Sequence, residues 1–261
     1  MFVTKNFSTT AAAGADTVVT GAVANQSPTT VGRFIFGSTS QINTVQEHLK
    51  AKFAYDFTPT ARLTYTAGAW DNVSDRTVAS TVRDAAGNPV YSGNVNVGGQ
   101  RYNLAATDFA PVRATQQHWM HGLQFKTNSR ATWDWEATLS TYNYNRDLSR
   151  QPTIAPPAAF AGGAGRITDM NGTGWSTFDA KGTWRPQGFE RGHTIDFGVH
   201  HDLYRLHSLV SNTADWISGS ATSEFQRFAG QTQTNKRIRS ISAPSVTLAM
   251  ARCARRIFRS T

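Results

Sequence analysis

From Glu47 to Phe57 the side chains change character at almost every step. Leu49, Ala51, Phe53, Tyr55 and Phe57 are apolar, while His48, Lys50, Lys52 and Asp56 are polar or charged, with only Ala54 intruding. Successive side chains of a strand point to opposite faces, so this two-residue period predicts a strand with one apolar and one charged face. Thr58-Pro59-Thr60-Ala61 then predicts a tight turn, because Pro fixes φ and cannot donate to a ladder. In the return strand Leu63, Tyr65, Ala67 and Ala69 alternate with Arg62, Thr64, Thr66 and Gly68.

The unit recurs twice. Gln117, Trp119, His121, Leu123 and Phe125 alternate with His118, Met120, Gly122, Gln124 and Lys126. The turn Thr127-Asn128-Ser129-Arg130 leads into Trp133, Trp135, Ala137 and Leu139, set against Asp134, Glu136, Thr138 and Ser140. In the third hairpin Phe178, Ala180, Gly182 and Trp184 alternate with Thr177, Asp179, Lys181 and Thr183. Pro186-Gln187-Gly188 turns the chain, and Ile195, Phe197 and Val199 follow against Thr194, Asp196 and Gly198. Weaker strands are expected near Arg33 to Phe36 and Glu224 to Gly230.

Polar connections rich in Gly, Asn, Pro and Ala separate the hairpins, over residues 71–112, 145–172 and 206–220. Short turns alternating with long loops are the habit of outer-membrane barrels, whereas structureless loops this long are uncommon in compact soluble domains. The expected fold class is all-β, an antiparallel transmembrane β-barrel segment with an incomplete wall. Tyr55 and Phe57 beside a tight turn, and Trp70, Tyr142 and Tyr144 beside long loops, suit the aromatic belts of the two membrane interfaces. The alternative is a soluble β-rich binding or adhesion module, carbohydrate-binding through its Trp residues, with the apolar faces packed into a dry core.

Composition adds little to this until charge is placed along the chain. The net charge is +9, but residues 236–261 hold seven basic residues (Lys236, Arg237, Arg239, Arg252, Arg255, Arg256, Arg259) and no acid. That leaves 19 basic against 17 acidic residues in 1–235, so no nucleic-acid partner is expected of the body. The single cysteine, Cys253, excludes an intrachain disulfide and a cysteine-based zinc set. No apolar run is long enough for a transmembrane helix. The small-residue stretch from Ala11 to Ala24 is broken by Asp16 and several Thr, so it is not read as a signal peptide.

Catalytic and metal chemistry find no constellation. His118 and His121 fall on opposite faces of a strand, as do His200 and His201, so neither pair predicts a metal site. Asp134 and Glu136 share a face and are read, with Lys50, Lys52, Asp56, Lys126 and Lys181, as lining a polar interior rather than as an acid–base pair. Gly162-Gly163-Ala164-Gly165 precedes no helix and is expected to be a flexible loop. No enzyme activity and no cofactor is expected, and no residue stands out as a ligand contact.

The segment Gln46-Glu47-His48-Leu49-Lys50-Ala51-Lys52-Phe53-Ala54-Tyr55-Asp56-Phe57-Thr58-Pro59 resembles a barrel hairpin of TonB-dependent receptors. Residues 174–186 and 193–202 and the stretch Gly230-Gln231-Thr232-Gln233-Thr234-Asn235 resemble that family's strands. The resemblance covers residues 32–235. It implies a parent in the cell outer membrane, in contact with outer-membrane lipid, that takes up a scarce small nutrient such as a metal chelate and is energised by TonB. Loops 71–112 and 145–172 would face the ligand. Nothing before Gly32 resembles the family's plug domain or TonB box, and residues 1–31 are expected to be a loop or poorly ordered segment. Six to eight strands form only part of a 22-stranded wall, so transport by this chain alone is not expected. Residues 236–261 depart abruptly from the pattern and are expected to be a basic tail produced by a slipped reading frame. Its rival is a basic amphipathic helix over residues 245–259.

Overall fold

The computed structural model describes residues 2–5, 14–24, 34–187 and 193–243. Among the described residues it is all-β apart from one 3-10 turn, Ala158–Ala161. The strands in chain order are β1 (Phe2–Lys5), β2 (Thr17–Val18), β3 (Val23–Ala24), β4 (Phe34–Thr58), β5 (Ala61–Ser80), β6 (Gly93–Val97) and β7 (Gln100–Leu104). They continue as β8 (Val112–Thr127), β9 (Trp133–Pro152), β10 (Gly165–Asp169), β11 (Gly174–Trp184), β12 (Thr194–Thr213) and β13 (Ala221–Ala243).

The large sheet is an antiparallel meander in which β4, β5, β8 and β9 neighbour one another in turn. β10 and β11 both lie between β9 and β12, so residues 165–184 act as one strand interrupted at 170–173. β13 completes the sheet against β12. Among the described residues no pairing joins β4 to β13, and the sheet is open. β1 and β3 cover only the start of β4, and among the described residues no strand pairs with the rest of that edge.

The tight turns after β4 and β8 fall where Pro, Asn and Ser predict them, while Gly188 of the third lies outside the described residues, and the strands run well past their alternating stretches. Residues 71–80, 145–152 and 206–213, expected as loop, are strand. These extensions mix polar and apolar residues on both faces, so no period announces them. Cross-strand pairs hold them instead: Arg113 Nε donates to Asp75 at 2.7 Å, Gln117 to Asp71 at 3.0 Å and Asn72 to Gln116 at 2.9 Å. Residues 34–36 are the beginning of β4 rather than a separate strand, Arg33 lies outside the described residues, and 224–230 belong to β13. The backbone of β13 also passes Asn235 and pairs with β12 as far as Ala243, so the change of composition does not end the strand. Residues 245–259 and Cys253 lie outside the described residues.

The N-terminal segment, expected as loop, supplies three short strands. β1 pairs with β4, and β2 runs parallel to β6 in a small sheet completed by β7. The dry core of the described chain lies here, at the end of β4 and β5 away from their tight turn. Phe36, Val82, Val95, Leu104 and Phe109 are fully buried, with Tyr102 set on Phe34 and Phe36 at ring distances of 5.7 and 5.2 Å. Gly37 makes the close approach possible, since a Cβ there would meet the Ala79 carbonyl oxygen and the Phe109 ring at 2.2 and 2.6 Å.

Removing the Tyr102 ring leaves a cavity at the centre of this core and costs about 3–5 kcal/mol locally. Tyr102→Ala is therefore expected to accelerate proteolytic cleavage within residues 81–111 while leaving the hairpins at residues 47–69 and 117–139 protected. Equal sensitivity in both regions would show that the loop domain is not a separate packing unit.

Candidate functional site

Register turns six alternating strands into two continuous faces. Directly paired residues project to the same side, and Phe53 pairs Tyr65, Tyr65 pairs Leu123, Leu123 pairs Leu139, Leu139 pairs Phe178 and Phe178 pairs His201. The adjacent row joins Tyr55, Leu63, Phe125, Ala137, Ala180 and Val199. No described residue packs over these rows. Leu49 is 72% exposed, Phe53 64% and Leu139 46%, whereas the loop-end Phe36 is 0% exposed. The apolar face is thus a bare surface of a single layer, far beyond the apolar patches that soluble monomers leave uncovered.

The bare surface is a band with two edges. Toward the tight turns it ends in rings: Tyr55 lies edge-on to Phe57 at 5.0 Å, Trp133 stacks on Trp135 at 5.6 Å and on Trp184 at 5.7 Å, and Phe197 stands against Trp135 at 5.9 Å. Toward the long loops it ends below the row Glu47, Asp71, Gln117 and Arg146, which are paired in register across four strands. Between these limits β4 contributes roughly nine residues, Leu49 to Phe57, or about 27 Å along the strand before tilt. An outer-membrane apolar band is about 25 Å tall.

The aromatic residues at the loop-side edge are not the expected ones. Trp70, Tyr142 and Tyr144 lie on the opposite, polar face, because Trp70 pairs His48 and His118 while Tyr142 pairs Met120. Trp119 holds the loop-side position on the apolar face, in the row of Leu49 and Ala69. The residues' odd or even position already carried this distinction; nearness to a loop in sequence did not.

On the polar face Arg62 forks onto Asp56 at 2.6 and 2.9 Å, Lys126 meets Glu136 at 3.4 Å and Lys181 meets Asp196 at 3.5 Å. Lys50 and Lys52 share that face and are exposed. Glu136, Asp179, Lys181, Asp196 and His200 line an open groove there. Asp134 has a different task from its expected one: it accepts from Ser129 N at 2.6 Å and from Arg185 at 2.7 Å, anchoring two neighbouring tight turns to each other. Higher up, Asn145 is an extra residue in β9, since His118 pairs Tyr144 and Gln117 pairs Arg146. That bulge brings Asp147 to the polar face, where His118 Nε2 meets it at 3.1 Å and His118 Nδ1 meets Tyr142 Oη at 2.9 Å. His118 and His121 occupy opposite faces, as do His200 and His201. Among the described residues no three His, Cys, Asp or Glu side chains are grouped to hold a metal ion.

The three long loops, reduced to residues 81–111, 153–164 and 214–220, pack together beyond the strands. Tyr91 meets Phe160 edge-on at 5.8 Å, and the Trp216 indole donates to the Ala159 carbonyl at 2.8 Å. The glycines at 162–165, expected to be flexible, form a packed turn. Gly162 and Gly163 take positive φ, and a Cβ on Gly165 would strike Trp216 at 2.4 Å.

Compared with models of protein families, with curated proteins and with solved structures, the chain finds no match.

Asp215 ties the 214–220 loop, accepting from Ser218 Oγ at 2.6 Å, Ile217 N at 3.1 Å and Ser218 N at 3.2 Å. These donors, the Ser218 hydroxyl first, hold its carboxyl below the ordinary value of 3.8. A depressed folded value stabilises the loop fully above the unfolded carboxylate range, and that support is lost as pH falls through the folded value. Amide protection over 214–220, taken against the intrinsic exchange rate at each pH, is expected to be high at neutral pH, to fall only below the ordinary carboxylate range, and to be lost at neutral pH in Asp215→Ala. Unchanged exchange in that variant would remove Asp215 from this role.

Proposed function

We propose that this chain is part of the barrel wall of a TonB-dependent outer-membrane receptor, whose intact parent takes up a scarce nutrient such as a metal chelate. The supporting observation is the bare apolar band: Leu, Phe, Tyr and Trp side chains in register over six strands, edged by rings on one side and by charged residues on the other. Water penalises such a surface and hydrocarbon accepts it. The opposite face suits a wet interior, since its charges pair with one another and remain accessible.

The open edges limit the fragment. Each unpaired backbone group at the edge of β4 would cost several kcal/mol in hydrocarbon, so the wall is completed by further strands of the parent and the chain does not transport alone. In that parent the packed loops form the outward-facing ligand surface, and TonB engages a segment other than residues 32–235. The soluble binding or adhesion reading requires a second layer over the apolar band.

Leu123 and Gln124 are adjacent on β8 and project to opposite faces. Placing arginine at the centre of a lipid-facing band costs about 2–4 kcal/mol, roughly 30- to 1,000-fold in folding into bilayers, whereas the polar face tolerates it. Leu123→Arg is expected to abolish association of the chain with lipid vesicles, read by flotation, and Gln124→Arg to leave it intact. The unmodified chain is expected to aggregate without detergent. A monodisperse monomer in plain buffer, or equal effects of the two substitutions, would overturn the membrane reading.

A further inference from the structure

Above the apolar band the sheet is not electrically uniform. On the β4–β5 side the first Asp, Glu, Lys or Arg residues of that face are Glu47 and Asp71, and on the β9–β12 side, beyond the uncharged Thr141, Asn143 and Ser176, they are Arg146 and Arg205. Arg146 pairs Gln117 in register, and Arg205 pairs Gly174, which in turn pairs Asn143 in the row of Trp119. Both arginines therefore project from the same side as the apolar band, Arg146 in the row just beyond its edge and Arg205 in the band's last row, that of Leu49, Ala69 and Trp119. They flank the interruption at 170–173, about 12 Å apart at their Cα atoms from two strand spacings and a two-residue offset.

Of the other arginines on this face, two are neutralised by carboxylates and one is hydrogen-bonded to backbone. Arg113 is held by Asp75 at 2.7 Å and Arg227 by Glu224 at 2.7 Å, while Arg150 donates to the Gly219 carbonyl. Arg146 and Arg205 are exposed, and neither has an ion-pair partner among the described residues. Arg205 Nε donates to the Gly172 carbonyl at 2.8 Å, which fixes its stem beside the interruption while its charge stays uncompensated. Asp169 is on the same face, two residues above, and its carboxylate accepts from Asn171 N at 2.8 Å.

We propose that Arg146 and Arg205 together bind the phosphate of an anionic lipid headgroup at the rim of the apolar band. The proposal rests on the membrane reading of that band and specifies which headgroup chemistry lies against it and where. A lipid whose chains cover Leu139, Phe178 and the neighbouring side chains carries its phosphate at the height of the two guanidinium groups. Guanidinium presents paired donors in a planar fork that matches phosphate oxygens, and it is weakly hydrated enough to hold them at an interface. The acidic side of the rim, Glu47 and Asp71, repels the same headgroup, so binding is confined to the β9–β12 side.

The test is flotation of the full chain with phosphatidylcholine vesicles and with mixed phosphatidylcholine–phosphatidylglycerol vesicles at low salt. Each arginine near an anionic surface contributes about fivefold in partition, so the double variant Arg146→Gln/Arg205→Gln is expected to lose on the order of 30-fold of the preference for the mixed vesicles. Lys50→Gln/Lys52→Gln removes the same charge from the opposite face and is expected to retain the preference. Equal loss in the two double variants would reduce the effect to net charge and overturn the proposal. Abolition of the preference by inorganic phosphate, but not by sodium chloride of equal ionic strength, would assign the arginines to free phosphate and overturn it as well. Equal flotation of the unmodified chain with both vesicle types overturns the headgroup proposal alone, whereas flotation with neither overturns the membrane reading beneath it.

Discussion

Backbone pairing in a fixed register is the constraint from which the rest of this molecule follows. A slip of one residue between any two long strands would carry every side chain of one strand to the wrong face. With the register as it stands, Phe53, Tyr65, Leu123, Leu139 and Phe178 form one row on one side, while Arg62, Lys126, Glu136 and Lys181 form another on the other side. The first row has no partner among the described residues. The second is laced by ion pairs that, being exposed, each contribute little to stability. Its role is to make the polar face compatible with water.

The two ends of the sheet solve different problems. At the tight-turn end, Asp134 gathers donors from Ser129, Thr127 and Arg185, so two hairpins are locked at a common height where the rings of Trp133, Trp135 and Trp184 meet. At the other end the strands outrun the apolar band and carry a folded cap. There the N-terminal strands and residues 81–111 bury Phe36, Tyr102 and Phe109, and Trp216 fastens the two remaining loops. The molecule keeps its dry core outside the region where its strands are most hydrophobic, the reverse of a soluble sandwich.

How much of this was legible in the sequence depended on whether a residue's neighbours repeat. The hairpins at residues 47–69, 117–139 and 177–199 were readable because period two marks both the strand and its face. The extensions were not, since Asp71, Asn72 and Asp75 are strand residues only by virtue of Gln116, Gln117 and Arg113 across the ladder. The cap was invisible because Phe36, Tyr102 and Phe109 come from separate segments without a period. The bulge at Asn145 left no signal, yet it decides that Asp147 joins His118 and that Arg146 turns outward. Trp70, Tyr142 and Tyr144 were assigned by proximity to loops, when counting residues from Leu63 and Trp133 would have put them on the polar face.

The central claim is that the bare band meets hydrocarbon and the opposite face meets water. Fluorophores attached one at a time through cysteines at positions 119 to 125, after replacement of Cys253, probe it directly in the lipid-reconstituted chain. Quenchers fixed on lipid chains are expected to extinguish the odd positions, and aqueous iodide the even ones, with a strict period of two. Iodide reaching odd and even positions alike, or lipid quenchers reaching neither, would contradict the account.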